Sequence, residues 1–342
     1  MNFKKIYLRK EYYNNEYRTP LVPKDINILI KNNFLVYIQS CNNRCFNDTE
    51  YEEYGGILVN DEWYNYNDCL IIGIKELNFI DNLINKNNLE YSHLYFSHTF
   101  KNQTNSKYIL DKFKYSNSIL YDLEYFIYDN NKRIITFGYY AGLVGAVLGI
   151  WQYYNKTNNI KNISDLTYWK LFDNMYNFIL PKVIKDIKIA IIGSNGNCGN
   201  GVKYILNLLS IKYDEFNRNS DKSILINYDI IYNCINLTCF IEPFFDKNTI
   251  FTKNIIMVDI SCDYTNIFNP IKIYDESTNW INPVYSYSNF VDIIAINNLP
   301  SLLPIDSSIY FSNKIINLLT NPEYKKYWNQ TLNIYYDKIF NI

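Results

Sequence analysis

The chain has 342 residues, enough for two domains, since single hydrophobic cores stop growing near about 250–300 residues. A formal net charge of −1, from 33 basic and 34 acidic side chains, gives no basis for a nucleic-acid or acidic-membrane partner. No apolar run reaches the roughly 20 residues of a spanning helix, and MNFKKIYLRK lacks the apolar stretch of a secretion signal, so a cytoplasmic protein without membrane attachment is expected.

In chain order, residues 4–8 read as a strand, 24–33 as a helix started after Pro23, and 34–38 as a second strand. Short β-branched or aromatic runs at 69–74 and 94–96 extend the strand–helix alternation, which predicts parallel sheets with crossover helices. FGYYAGLVGAVLGIW, residues 137–151, places small residues at helical spacing and predicts a long buried helix pressed against other backbone. Residues 155–162 and 217–223 are Asn-rich and read as loops. Strands follow at 187–192, 230–235 and 255–260. LPSLLP, residues 299–304, interrupts the pattern before a helix at 309–319.

The seven cysteines, Cys41, Cys45, Cys69, Cys198, Cys234, Cys239 and Cys262, are odd in number and scattered, unlike a secreted disulfide framework. Cys41 and Cys45 come nearest to metal-ligand spacing, but no second pair or His cluster follows, so no metal is expected. With 35 Tyr against 11 Gly, and abundant Asn, Ile and Lys, the composition is that of an AT-rich coding sequence. A lone Asn in place of a more functional residue therefore says little.

Three features carry chemistry. After the strand at 187–192 comes GSNGNCG, residues 193–199, then a helical run; glycines there let the backbone turn tightly and approach a pyrophosphate at a helix N-terminus. The spacing is GxxGxxG rather than GxGxxG. Lys75 and His98 each stand just beyond an apolar run, where loops at neighbouring strand ends can bring two ionisable groups to one acid–base site. Arg18, in EYRTPLVP, is placed to clamp a carboxylate.

LRKEYYNNEYRTPLVP, IGIKEL, FSHTFKNQ, ILYDLEYF, KRIITFGYYAG, VDISCDYTNIFNPIKIY and NNLPSLLP resemble, in that order, signature segments of fungal lysine-forming saccharopine dehydrogenases, from about Leu8 to past Pro304. The resemblance implies an α/β protein with two Rossmann-like domains and a cleft between them. It implies a substrate domain at residues 1–136 completed by 306–342, and a dinucleotide-binding domain at 137–305. It also implies a monomer that oxidatively cleaves saccharopine to lysine and 2-oxoglutarate with NAD, the NADP alternative staying open.

By the same resemblance, Lys75 matches a general base and His98 an acid–base group that activates water. Arg18, Lys75, Gln103, Arg133, Phe137, Ser261, Cys262 and Asp263 match substrate-binding positions, with Glu76 and Glu124 flanking the catalytic pair. Cofactor contacts are implied at Lys132, Gly193, Gly196, Asn197, Gly199, Asn217, Asn236, Ile260, Ile296, Asn297, Asn298 and Leu299. Departures from the family pattern gather there: Asn197 stands for an arginine, Asn217 for an acidic residue (unless Asp214 or Glu215 takes that position after a loop shift), Asn236 for a tyrosine, and Asn297 and Asn298 for Asp and His. A catalytically weak ligand-binding homologue, or a related amino-acid or imine oxidoreductase, are the alternative readings.

Overall fold

The computed structural model describes residues 3–66, 68–83, 91–101, 105–161, 163–235, 237 and 239–340. It divides into two compact units, one formed by Met1–Thr136 with Pro304–Ile342 and the other by Phe137–Leu303.

The first unit is built on six parallel strands: β1 (Lys5–Leu8), β2 (Leu35–Gln39), β3 (Ile57–Val59), β4 (Cys69–Ile72), β5 (Ser92–Tyr95) and β6 (Ile119–Asp122). Their order is β3-β2-β1-β4-β5-β6, so the order reverses between β1 and β4. Every residue of β4 and β5 is buried, as expected for strands covered on both faces, and this is why they read as continuous apolar runs. Helices α1 (Pro23–Lys31), α2 (Asp48–Glu53) and α3 (Ser106–Tyr115) form crossovers. Pro23 begins α1 itself, since a proline at the first helical position loses no intrahelical bond.

The second unit opens with α4 (Gly138–Thr157) and α5 (Phe172–Ile179), then β7 (Ile189–Ile192), α6 (Asn197–Leu208), β8 (Asp214–Phe216), β9 (Ile230–Asn233), β10 (Ile255–Asp259), β11 (Tyr285–Ser286) and β12 (Val291–Ile294). The sheet order is β11-β12-β10-β9-β7-β8, parallel except for β11. Here the order reverses between β7 and β9. The α/β reading with two parallel-rich sheets is thus what the chain adopts.

The small residues of α4 have a steric cause. A Cβ at Gly142 would fall onto the Cys198 carbonyl, and one at Gly201 onto the Tyr139 carbonyl, so α4 and α6 touch backbone to backbone. Tyr232 donates to the Ala146 carbonyl at 2.8 Å across the space that Gly149 leaves open. The helix runs on to Thr157, six residues past the apolar stretch, so residues 155–157 are helical where the Asn-rich composition suggested a loop.

The chain then returns to the first unit as α7 (Pro304–Thr320) and α8 (Lys325–Phe340). Ser308 and Ser312 of α7 accept from the backbone N–H groups of Thr19 and Val22 at 2.9 and 3.0 Å, giving a partner to the residue that precedes α1. On α8, Trp328 packs edge-on against Tyr121 and Phe126, with ring centroids 4.9 and 5.0 Å apart.

Candidate active site

In open α/β sheets, functional groups gather beyond the carboxyl ends of the strands at the reversal of strand order. In the first unit β1 and β4 meet at that reversal, with β5 and β6 beside β4. Lys75 follows β4 and His98 follows β5, and the pairing of the two strands continues past their ends, with Phe96 N–H donating to the Ile74 carbonyl at 3.2 Å.

Lys75 rests on a buried polar clamp. Both carboxylate oxygens of Glu11 accept from backbone, one from Ile74 N–H at 2.7 Å and the other from Lys75 N–H at 3.0 Å. Arg9 pairs with Glu11 at 3.1 Å, donates to the Lys75 carbonyl, and lies over the Tyr95 ring. Gly73 leaves the room the guanidinium occupies, since a Cβ there would overlap it and Arg9 would have to shift. The Lys75 ammonium sits 4.9 Å from the centre of the Tyr13 ring. Burial pushes the Lys75 pKa below its usual value and the nearby Arg18 adds to this, while Glu16, Glu76 and Glu11 oppose the shift.

Arg18 is buried, and its Nε and Nη2 donate to the two carboxylate oxygens of Glu16 at 2.7 and 2.6 Å. The fork expected to clamp a substrate carboxylate is thus engaged by a neighbour two residues away. Burial works against the Glu16 charge, but Arg18 outweighs it and holds the carboxyl below its usual range.

His98 occupies the left-handed region at φ 56°, uncommon for a residue with a Cβ. Its Nδ1 lies 3.7 Å from Glu124 Oε1, and Arg133 Nη1 lies 3.4 Å from the same oxygen. Glu124 is buried, whereas the side chains of His98 and Arg133 are each more than a third exposed. Glu76 is exposed beside Lys75. Lys132 is exposed in the turn before Arg133, with its N–H held by Asn130 Oδ1 at 3.1 Å. Gln103 lies outside the described residues.

In the second unit, Gly193 leaves β7 at φ 80° and Gly196 forms the N-cap of α6. A Cβ at Gly199 would overlap Ser194 and the Gly193 carbonyl, whereas one at Gly196 would meet no atom closer than 3.5 Å. The turn is thus closed by its own backbone on one side and open at the helix N-terminus, the form that admits a pyrophosphate. Asn197 is the first helical residue and is exposed.

Glu215 of β8 brings an acidic group to this turn. Ser194 hydrogen-bonds its carboxylate and Lys203 Nζ lies 3.3 Å away, together holding the Glu215 pKa below its usual value. Asn217 instead accepts from Asn219 N–H at 2.9 Å within its own turn.

At the end of β10, Asp259 is fully buried and accepts from Asn233, Ser261 and Tyr274 side chains. It anchors the expected segment of Ser261, Cys262 and Asp263, in which Cys262 is held at φ 48° and donates to the Ala295 carbonyl at 3.2 Å. Asp263 accepts from Asn266 at 2.9 Å, and Ile260 packs against the gap left by Gly145 of α4. Ile296 is bridged to Thr278, Asn297 is exposed, and Asn298 accepts from the buried Trp280 indole at 3.0 Å just before Leu299. Phe137 is the N-cap residue of α4. Asn236 lies outside the described residues.

Sequence reasoning passed over Arg9, Glu11, Tyr13, Glu16 and Asp122. None carried a clear signal: Arg9 and Glu11 read as solvated charges just beyond the strand that ends at Leu8.

Residues 7–144 match the family described as alanine dehydrogenase/PNT, N-terminal domain. The chain is 30% identical to the saccharopine dehydrogenase [NAD(+), L-lysine-forming] of Schizosaccharomyces pombe over 91% of both chains. It is 32% identical to the protein of the same name from Candida glabrata, over 91% of this chain and 90% of that one. Among solved structures, an L-alanine dehydrogenase superposes with a TM-score of 0.72 at 13% identity, covering 96% of this chain and 94% of that one. The transhydrogenase from Sinorhizobium meliloti gives 0.61 at 11% identity, covering 94% of each. These two likenesses speak to the fold.

Proposed function

The chain belongs to the family of lysine-forming saccharopine dehydrogenases, and from that premise we propose that it cleaves saccharopine oxidatively to lysine and 2-oxoglutarate with NAD. The observation that carries the mechanism is the pairing, on adjacent strand ends, of a partly buried lysine whose basicity burial has lowered with a half-exposed histidine beside a buried glutamate.

The turn of Gly193, Gly196 and Gly199 fits the cofactor's pyrophosphate, with Glu215 placed to accept from ribose hydroxyls. Bound NAD supplies the hydride acceptor that turns the substrate's secondary amine into an imine.

Lys75 Nζ takes the proton from that amine. A lysine can do this near neutral pH only if its ammonium form is destabilised, which burial and Arg18 provide. His98 then takes a proton from water as the oxygen adds to the imine carbon. The same imidazole moves protons as the carbon–nitrogen bond of the carbinolamine breaks, leaving the amine of lysine and the ketone of 2-oxoglutarate. Glu124 Oε1, 3.7 Å from Nδ1, orients the His98 ring. Arg133, half-exposed next to Glu124, is the guanidinium best placed for one of the three substrate carboxylates. Arg18, engaged by Glu16, acts on Lys75 through charge. A monomer in the cytoplasm, as the family resemblance implies, completes the proposal.

The test is direct. Purified protein with saccharopine and NAD should release NADH, lysine and 2-oxoglutarate in equal amounts, with NADP run as a separate arm. Absence of lysine release under NADH formation, or absence of both, sinks the reading.

A further inference from the structure

The β6 strand ends in a fully buried carboxylate, Asp122, that the mechanism above does not use. Its two oxygens serve different loops. Oδ2 accepts from the Ser97 hydroxyl at 2.6 Å, and Oδ1 accepts from the Glu124 backbone N–H at 2.9 Å. Ser97 is the residue before His98, and Glu124 is the side chain that faces His98.

The Ser97 hydroxyl has little rotational choice. While it donates to Asp122, it accepts from Thr99 N–H at 3.2 Å and pairs with the Thr99 hydroxyl at 2.7 Å. One donor and two acceptor positions are thereby filled, which is the whole capacity of a serine hydroxyl. Both residues flanking His98 are buried, while the histidine itself turns outward through a left-handed backbone. Left alone, a residue with a Cβ leaves that conformation readily; here its neighbours are tied to each other and to the strand.

We propose that Asp122 is a positioning residue, which through Ser97 on one oxygen and the Glu124 backbone on the other sets the geometry of the His98–Glu124 pair. This rests on the role given to His98 above. A loop held by a single hydroxyl moves the imidazole without disturbing what binds elsewhere, so loss of that hydroxyl acts on turnover rather than on affinity. A displacement near 1 Å at a reacting group lowers rate by about 100-fold.

Ser97→Ala removes the link with one atom and keeps the fold, and Ser97→Thr keeps the hydroxyl. Steady-state kinetics with saccharopine and NAD should show kcat lower by about 10- to 100-fold in Ser97→Ala, both KM values within about twofold, and most of the rate restored in Ser97→Thr. The chain has only two histidines, so the Cε1–H signal of His98 can be assigned by its loss in His98→Gln. In Ser97→Ala that signal should broaden or double, while the His93 signal stays put. A Ser97→Ala enzyme with unchanged kcat and an unchanged His98 signal overturns the proposal, and so does a lost rate that Ser97→Thr fails to restore. If the unaltered protein has no saccharopine turnover, the functional reading fails instead, and the His98 signal alone decides the positioning role.

Discussion

His93 gives this fold a dependence on pH that can be isolated by one substitution. The ring is fully buried on β5, 4.9 Å from Trp63 and 5.3 Å from Phe113, both edge-on. Neither ring nitrogen has a hydrogen-bond partner among the described residues. Burial, with the positive charge of Arg9, pushes its pKa well below 6.5. The folded chain therefore keeps this histidine neutral at pH values where the unfolded chain protonates it. Stability follows the state that binds fewer protons, so the stability is complete above about pH 6.5 and falls by about 1.4 kcal/mol per pH unit below it. Between about pH 7.5 and pH 5 this one group removes about 2 kcal/mol. For a unit of this size that is about 4–8 °C in midpoint temperature. His93→Phe keeps the edge-on aromatic contacts and has nothing to protonate. Urea or thermal unfolding followed by tryptophan fluorescence at the two pH values should show the wild type losing about 2 kcal/mol more than the variant; carboxylate contributions cancel in the difference. Equal losses would refute the reasoning, because they would mean the ring finds a proton partner in the folded state.

Lys75→Met should lower kcat by about 10²- to 10⁴-fold with NAD affinity unchanged, and near-normal turnover would remove Lys75 from its role. Arg18→Ala withdraws a positive charge and leaves Glu16 uncompensated beside Lys75; both changes raise the lysine pKa, so the rising limb of kcat/KM should move to higher pH, and a limb that stays put contradicts the coupling. Glu215→Gln should raise the NADP-to-NAD ratio of kcat/KM by about 10-fold or more, since an acidic group near the ribose repels a 2′-phosphate. If Asn217→Asp changes that ratio while Glu215→Gln does not, position 217 is the discriminating one after all.

The sheets were legible because β4, β7 and β10 are apolar on both faces, and the glycine turn because few other contexts need glycines after such a strand. β6 escaped detection: its apolar run is only three residues, Ile119 to Tyr121, before Asp122, and the strand is fixed by pairing with β5 and by packing of α8. The C-terminal helix α8 was missed for a similar reason, its apolar face being made largely of aromatic residues separated by polar ones. At the candidate site, Lys75 and His98 could be named from their places after strands. Their supports could not, because Arg9 and Glu11 look like solvated charges until the sheet brings them under residues 74 and 75. At the acidic position of the second strand the sequence left Asn217 open against Asp214 or Glu215, because register is set by strand pairing, which puts Glu215 opposite Ile191 and within reach of Ser194.

The contact of α4 with α6 bears on how this gene can drift. Eight of the chain's 11 glycines fall between Gly138 and Gly201, in a protein whose other positions have filled with Asn, Ile, Lys and Tyr. Most of those eight face a neighbouring atom that a methyl group would strike. At Gly142 and Gly201 a side chain would be a wedge between two helices; at Gly145 and Gly149 it would meet Ile260 and Tyr232, and at Gly199 the backbone of the turn before α6. A saturation scan read out by folding should therefore show Gly142 and Gly201, where helix backbone meets helix backbone, accepting no substitution, alanine included, while Gly196 admits a small side chain.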